Sequence, residues 1–374
     1  MSAPVMRVPR SLDLEVTAQC NLRCRYCYFF SNVAVEYRDL PTAEWLTFFD
    51  ELGSLGVMDV TIAGGEPFHR ADLRELLDGI VRNRMRFAIL SNGGLIDDEM
   101  AAFVARTGRC NYVQVSLDGS RPETHDAARG KGAWEGAVRG IRTLQRQGVQ
   151  VSARLTIHRH NVNDLEAAAR FLLEDLGLAS FGTNSAGYLG SCRRNADEMM
   201  LTTADRQGAM DTLTRLNEKY HGRINAAAGP LAEAYMWRRM EEARFAGAPE
   251  PGNSGRLTAC GCPFSRIAVR ADGAIVPCSM LPHLALGYIN RDSLAEIWRT
   301  DSTLARLRGR RAIPLNSFEF CAGCEYQPYC TGNCPAIAYS LTGKLDHPSP
   351  DACLRRFLAA GGVITRSTGG ADRL

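Results

Sequence analysis

The sequence has no long apolar run. Its first ten residues, MSAPVMRVPR, lack the hydrophobic stretch of a secretory signal, and nowhere do enough apolar residues follow one another to span a bilayer. It also lacks a surplus of charge. Its 44 Lys and Arg against 41 Asp and Glu leave +3, too little to argue for nucleic acid or an anionic membrane as a partner. Internal repeats are missing as well. A cytoplasmic protein is the expectation, with no membrane and no nucleic acid among its partners. What the chain has in excess is cysteine, thirteen in 374 residues. In a reducing compartment thiols at that density hold metals or clusters rather than form disulfides.

The length suffices for one large domain or two smaller ones. In the first half, short β-branched runs alternate with helical patterns. SLDLEVT from Ser11 alternates as a half-buried strand does, and the runs from Asp59, Arg86, Asn111, Val151 and Ser180 read as further strands. Helical stretches separate them, the first placing Trp45, Phe48, Phe49 and Leu52 on one face. Six βα units in about 190 residues predict an α/β fold, a curved parallel sheet or partial barrel of the (β/α)6 kind. Its chemistry then belongs at the carboxyl ends of the strands. The expected domains are a core over 11–200, a helical bridge and linker over 201–255, a cysteine-rich domain over 256–358 and a flexible tail over 359–374.

Cys20, Cys24 and Cys27 crowd into CNLRCRYC just after the first strand. Three is odd for disulfides and one short of a closed tetrahedral site. A 4Fe–4S cubane takes four thiolates, so three leave one iron open, and an open position separates a catalytic metal from a structural one. The competing reading is a zinc site with a fourth ligand elsewhere. Cys110 and Cys192 stand alone and read as small buried hydrophobes.

Five further motifs follow successive strands in order: Gly64-Gly65-Glu66-Pro67, Ser91-Asn92-Gly93, Ser116 to Gly119 (SLDG), Arg129 to Gly132 (RGKG) and Ile157 to Asn161 (IHRHN). Together with the three cysteines, this order over residues 11–190 resembles the radical S-adenosylmethionine (radical SAM) enzymes. The resemblance implies that S-adenosylmethionine chelates the open iron and is cleaved to a 5′-deoxyadenosyl radical that takes a hydrogen atom from substrate. Cys20, Cys24 and Cys27 would then be the catalytic cysteines. Gly64, Gly65, Glu66 and Pro67 would serve the methionine amino group, the glycines by letting backbone approach the ligand and Glu66 by bracing the turn. Tyr26, Asn92, Ser116, Asp118, Arg129 and Asn161 would complete the nucleotide site.

Eight cysteines lie between Cys260 and Cys353. From Cys262 they read C-x10-G-x4-C, then C-x2-C-x5-C-x3-C, then a last Cys. This order resembles the SPASM domain, an auxiliary-cluster module of peptide and protein maturases. By resemblance Cys262, Cys278 and Cys334 hold one auxiliary 4Fe–4S cluster and Cys321, Cys324, Cys330 and Cys353 a second. Cys260 is the candidate eighth ligand, although its C-x-C spacing is tighter than the family's. A pair of zinc ribbons is the alternative.

The resemblance implies net-oxidative chemistry on a precursor peptide, such as backbone excision, tyramine removal or cross-linking, inside a hydrophobic, water-poor barrel. The alternatives are a small-molecule radical enzyme of cofactor or haem biosynthesis and a sulfatase maturase. Ser279, where the last of these has Asp, speaks against it. Only about ten residues precede the first strand, so a separate leader-peptide-binding protein is expected, with a flavodoxin- or ferredoxin-type reductant. Tyr188 and Arg193 are candidate substrate contacts. His158 and His160 are read as structural or surface residues, and RLRGRR (Arg306 to Arg311) as a solvated face. Three cubanes predict about twelve irons per chain. Iron assay of a Cys20/Cys24/Cys27→Ala triple variant should then return about eight.

Overall fold

A computed structural model describes residues 5–29, 38–226, 228–248, 254–258 and 260–364. Six strands run parallel in chain order: β1 (Ser11–Thr17), β2 (Asp59–Gly64), β3 (Arg86–Ser91), β4 (Cys110–Ser116), β5 (Val151–Ile157) and β6 (Phe181–Ser185). Helices connect them: α1 (Thr42–Ser54), α2 (Leu73–Arg82), α3 (Asp98–Arg106), α4 (Pro122–Arg129), α5 (Ala133–Arg146) and α6 (Leu165–Arg170). The α6 helix does not run on to Leu176 as one regular helix. Residues Phe171–Asp175 widen into a π turn, closed by the Leu176 N–H donating to the Phe171 carbonyl.

The sheet does not stop at six strands. β7 (Ile224–Asn225) pairs parallel to β6, and lies between the two bridging helices Thr203–Lys219 and Gly229–Ala246. On the other side β8 (Arg266–Val269), from the cysteine-rich part, pairs parallel to β1. β9 (Ala274–Val276) and β10 (Gly287–Tyr288) extend it antiparallel, so the order is β10-β9-β8-β1-β2-β3-β4-β5-β6-β7. The second cysteine field therefore grows directly out of the barrel's open edge. Part of the linker expected before it, 249–253, lies outside the described residues. So do 365–374 of the expected tail; before them the last helix, Leu354–Ala359, ends and the Val363 N–H donates to Gln207.

The side chains divide by strand periodicity. Leu12, Leu14, Val60, Ile62, Phe87, Ile89, Val113, Val115, Ala153, Leu155 and Phe181 are buried in one core with Trp45, Phe48, Leu76 and Ile141 of the surrounding helices. The register sets Asp13, Glu15, Thr61, Gln114, Ser116, Arg154, Thr156 and Asn184 on the opposite, concave face. This corrects the expectation of a hydrophobic barrel interior. With a period of two, the larger apolar side chains go to the helices, and the inner face mixes these polar groups with Ala63, Ala88 and Leu90.

β1 is hydrogen-bonded on both sides, so both halves of the molecule share its core. Leu14→Ala should cost about 2–5 kcal/mol and shift a single cooperative transition in urea. Two separated transitions would show that the halves unfold independently.

Candidate active site

All the strand-end motifs meet at the carboxyl edge of the sheet. The segment after β1 carries Cys20, Cys24 and Cys27, each partly buried. It is tied down from three sides. The Arg25 N–H donates to Ala128 O at 2.8 Å, the Ser191 N–H donates to Cys27 O at 2.8 Å, and Asn195 Nδ2 donates to Arg25 O at 2.8 Å. At Gly190 (φ 47°) a Cβ would stand 2.2 Å from Cys27 O, so the loop after β6 lies this close only because it is glycine there.

The Gly64–Pro67 turn is explained differently from the sequence expectation. A Cβ at Gly64 would lie 2.3 Å from Thr17 O and one at Gly65 2.0 Å from Gln19 O. The Gly65 and Glu66 N–H groups donate to those same carbonyls, each at 2.8 Å. The missing side chains thus make room for the backbone leaving β1 toward Cys20, where an approach to ligand had been expected. Glu66, wholly buried, accepts from the Asn92 N–H (2.7 Å), Ser91 Oγ (2.8 Å) and Phe68 N–H (3.2 Å). Burial pushes its carboxyl up to about 7, against those hydrogen bonds. Pro67 is buried and opens the short turn that follows. Asn92 Nδ2 reaches Asn21 Oδ1 at 2.7 Å, beside the Cys20 sulfur at 3.8 Å. The β2 and β3 turns and the cysteine loop are therefore one hydrogen-bonded unit.

A second unit forms around Asp118, fully buried after β4. Burial alone would raise its carboxyl. The Arg129 charge and hydrogen bonds, with His125 and His158, outweigh that and hold it at about 2. Its oxygens take Arg129 Nε (2.5 Å), the Thr156 N–H (2.9 Å) and the Tyr26 hydroxyl. Asn161 spends its amide on Asp118 O and Thr156 O, and accepts the His158 N–H. Asp118 and Asn161 therefore brace the site where a ligand contact had been expected. Their product is the placement of Tyr26, whose ring lies under the Arg129 guanidinium (5.3 Å) and beside His158 (5.4 Å). His158 is buried, and burial lowers it to about 4, so the ring is neutral. Ser116 ends β4 on the concave face.

The eight later cysteines sort into two sets. Cys321, Cys324, Cys330 and Cys353 line one small cavity. Cys260, Cys262, Cys278 and Cys334 are linked by mutual charge interactions, and the free thiols of Cys260 and Cys262 are hydrogen-bonded to each other. Backbone N–H groups two residues on donate to Cys20 Sγ (Leu22, 3.4 Å), Cys278 Sγ (Met280, 3.2 Å) and Cys330 Sγ (Gly332, 3.4 Å). Such bonds stabilise thiolate, the form that ligates iron. Among the described residues no three Cys, His, Asp or Glu side chains converge as a single metal ion would need, whereas a cluster offers each thiolate its own iron. The donor sets fit iron–sulfur groups. Cys110 and Cys192 stay apart from them, and burial pushes them up to about 12 and about 11.

Three expectations change. Arg193 donates to Ser340 Oγ (3.0 Å) and lies 5.8 Å from the Tyr188 ring, so the pair fastens the helix Pro335–Thr342 to the barrel rim. The RLRGRR run is only partly solvated: Arg306 and Gly309 are exposed, and the rest packs. Arg308 lies over Trp298 (4.6 Å), Arg311 lies over Phe264 (4.0 Å) and Arg310 is wholly buried. The sequence reading also passed over Glu15 and Tyr28. Glu15 is 1% exposed on the concave face and hydrogen-bonded to Ser279, and its Oε1 has no partner among the described residues. Tyr28 feels the charges of Glu15, Cys27, Asp13 and Cys278, which puts it between the first and second cysteine sets. The alternation of β1 was the signal that could have found Glu15.

Burial raises Glu15 to about 8, so its native carboxyl holds a proton that the unfolded chain releases near the ordinary 4.5. Its contribution to stability is therefore lost as pH rises between those values. Glu15→Gln should be more stable than the parent at pH 9 by at least about 1 kcal/mol, one pKa unit being worth roughly that, with a smaller gap at pH 5. Urea unfolding at the two pH values measures this; a gap independent of pH would refute it.

A family model described as the radical SAM superfamily matches residues 14–172, and one described as the SPASM iron–sulfur cluster-binding domain matches 260–325. Fe-coproporphyrin III synthase of Methanosarcina barkeri is 31% identical over 91% of this chain and 86% of its own length. PqqA peptide cyclase of Ruegeria pomeroyi is 26% identical over 96% and 94%. Among solved structures, Streptococcus suis SuiB bound to the precursor peptide SuiA superposes with a TM-score of 0.68 over 94% of this chain and 77% of SuiB. At 14% identity that likeness shows the fold alone. Among the described residues no helix is long and apolar enough to cross a membrane.

Proposed function

Because the chain belongs to the radical SAM superfamily and carries the SPASM module, we propose that it is a peptide maturase acting oxidatively on a ribosomally made precursor. When bound, the amino-terminal cluster would supply the electron that splits S-adenosylmethionine to methionine and a 5′-deoxyadenosyl radical, which takes a hydrogen atom from the peptide. Cys20, Cys24 and Cys27 would hold that cluster. Tyr26, Asn92 and Ser116 would face the nucleotide, with Gly64, Gly65, Glu66, Asp118, Arg129 and Asn161 keeping them in place. Cys260 would complete the auxiliary set of Cys262, Cys278 and Cys334, and Cys321, Cys324, Cys330 and Cys353 would form the other.

The observation that carries this reading is the joining of the two cysteine fields through one sheet, with Tyr28 and Glu15 between Cys27 and Cys278. That arrangement would bring a radical source and an electron acceptor to the same sheet, as net oxidation requires. A relative named as a peptide cyclase, aligned over nearly its full length, supports a peptide substrate. Excision of a backbone fragment such as tyramine and cross-linking are the reactions that suit it. A separate leader-binding protein and a flavodoxin- or ferredoxin-type reductant are the proposed partners, in the cytoplasm. The identity to Fe-coproporphyrin III synthase favours a second reading, tetrapyrrole side-chain chemistry.

Anaerobically reconstituted protein with dithionite and S-adenosylmethionine should release 5′-deoxyadenosine; complete absence of release would eliminate both readings. Co-expression with short peptides encoded beside the gene should yield a peptide of altered mass. Formation of Fe-coproporphyrin III from a tetrapyrrole precursor, with every peptide unchanged, would select the second reading.

A further inference from the structure

Arg310 opens a short 3-10 turn, Arg310–Ala312, and its side chain is 0% exposed. A guanidinium carries five N–H donors and keeps its charge. Here Nε, Nη1 and Nη2 all lack a hydrogen-bond partner among the described residues. Asp346 Oδ1, itself without a hydrogen-bond partner among the described residues, is 4.0 Å from Nη1, an ion-pair distance but beyond hydrogen-bonding range, and the other Asp346 oxygen is taken by Arg306 Nε at 2.6 Å. Protein interiors do not sustain a cation in that condition. In the basic run Arg308 Nη2 and Arg311 Nε also lack a hydrogen-bond partner among the described residues, but those side chains have other contacts. Arg308 and Arg311 rest on aromatic rings, and Arg308 Nε also donates to Pro263 O at 2.7 Å.

The backbone says what Arg310 faces. The Leu257 N–H donates to Ile313 O (2.9 Å) and the Leu315 N–H to Gly255 O (2.8 Å), which binds the segment after Arg310 alongside the one leading to Cys260. Besides Asp346, the negative groups whose charge Arg310 feels are Cys334 and Cys260. The unsatisfied donors and the cysteine set thus occupy the same place. Sulfur atoms of an iron–sulfur cluster are hydrogen-bond acceptors of net negative charge, and bonds to them tune the cluster's potential.

We propose that Arg310 is the hydrogen-bond donor and compensating charge for the auxiliary cluster held by Cys260, Cys262, Cys278 and Cys334, and that it sets that cluster's reduction potential. The proposal rests on the ligand assignment made above. A positive charge beside the cluster favours its reduced, more negative form. Arg310 therefore raises the potential and makes this cluster the better acceptor of the electron released by an oxidised substrate.

The test uses the Cys20/Cys24/Cys27→Ala background, which retains only auxiliary clusters, with EPR-monitored redox titration. Arg310→Met should lower one of the two auxiliary couples by at least tenfold in its reduction equilibrium, 59 mV for one electron, and leave the other in place. Arg310→Lys should recover most of the shift. Loss of about four of the eight irons in Arg310→Met, with recovery in Arg310→Lys, would equally support the role. In iron-free protein Arg310→Met should be at least as stable as its parent, since a buried cation without a hydrogen-bond partner has gone. A less stable iron-free variant would make Arg310 a structural anchor and overturn the proposal. So would unchanged potentials with eight irons retained, or equal shifts in both couples. A parent holding far fewer than eight irons would overturn the ligand assignment itself and this proposal with it.

Discussion

The parallel pairing of β1 with strands on both sides is the interaction on which the rest depends. β2 joins it to the barrel and β8 joins it to the cysteine-rich part, so one strand carries the register of both halves. Its carboxyl end leads into Cys20, and its concave face presents Asp13 toward Cys262 and Cys278 and Glu15 toward Ser279. Two metal-binding fields more than two hundred residues apart in sequence become neighbours through a single hydrogen-bonded ladder. Sheet pairing is cooperative and has a strict period. A slip of one residue in β1 would turn its carboxylates outward and its leucines inward, and both fields would lose their common wall.

Around that strand, buried polar groups divide into those satisfied by the protein and those left waiting. Asp118, Arg129, Tyr26 and Asn161 satisfy one another and so hold a surface for ligand without spending energy when it arrives. Glu66 does the same for the turns after β2 and β3. Glu15 Oε1, both ring nitrogens of His158 and all three nitrogens of Arg310 are among the counterexamples. Unsatisfied groups cost stability, and such costs persist where function uses the group.

Much of this was legible from residue order. The strands from Ser11, Asp59, Arg86, Asn111 and Val151 were readable because each alternates or concentrates β-branched residues, a local property. The motifs after them were readable because a parallel α/β sheet puts every loop of one kind on one edge. The π turn at Phe171–Asp175 was not, since hydrogen-bond register inside a helix leaves no mark on apolar spacing. The polarity of the concave face was present in the alternation of β1 and β5 but was outweighed by expectation. The RLRGRR run misled because arginine counts as exposed by type, whereas Arg308 and Arg311 bury their stems on Trp298 and Phe264.

By itself the sequence determined which thiols exist, their spacing within each field and the βα rhythm that carries them, all set by contacts within a few tens of residues. Only the tertiary structure decided that β8 docks on β1, that the segment leading to Cys260 runs beside the one after Arg310, and that Arg310 is buried instead of facing water. Those outcomes depend on pairings between segments distant in sequence. Their free energy comes from backbone ladders and burial that no local pattern encodes.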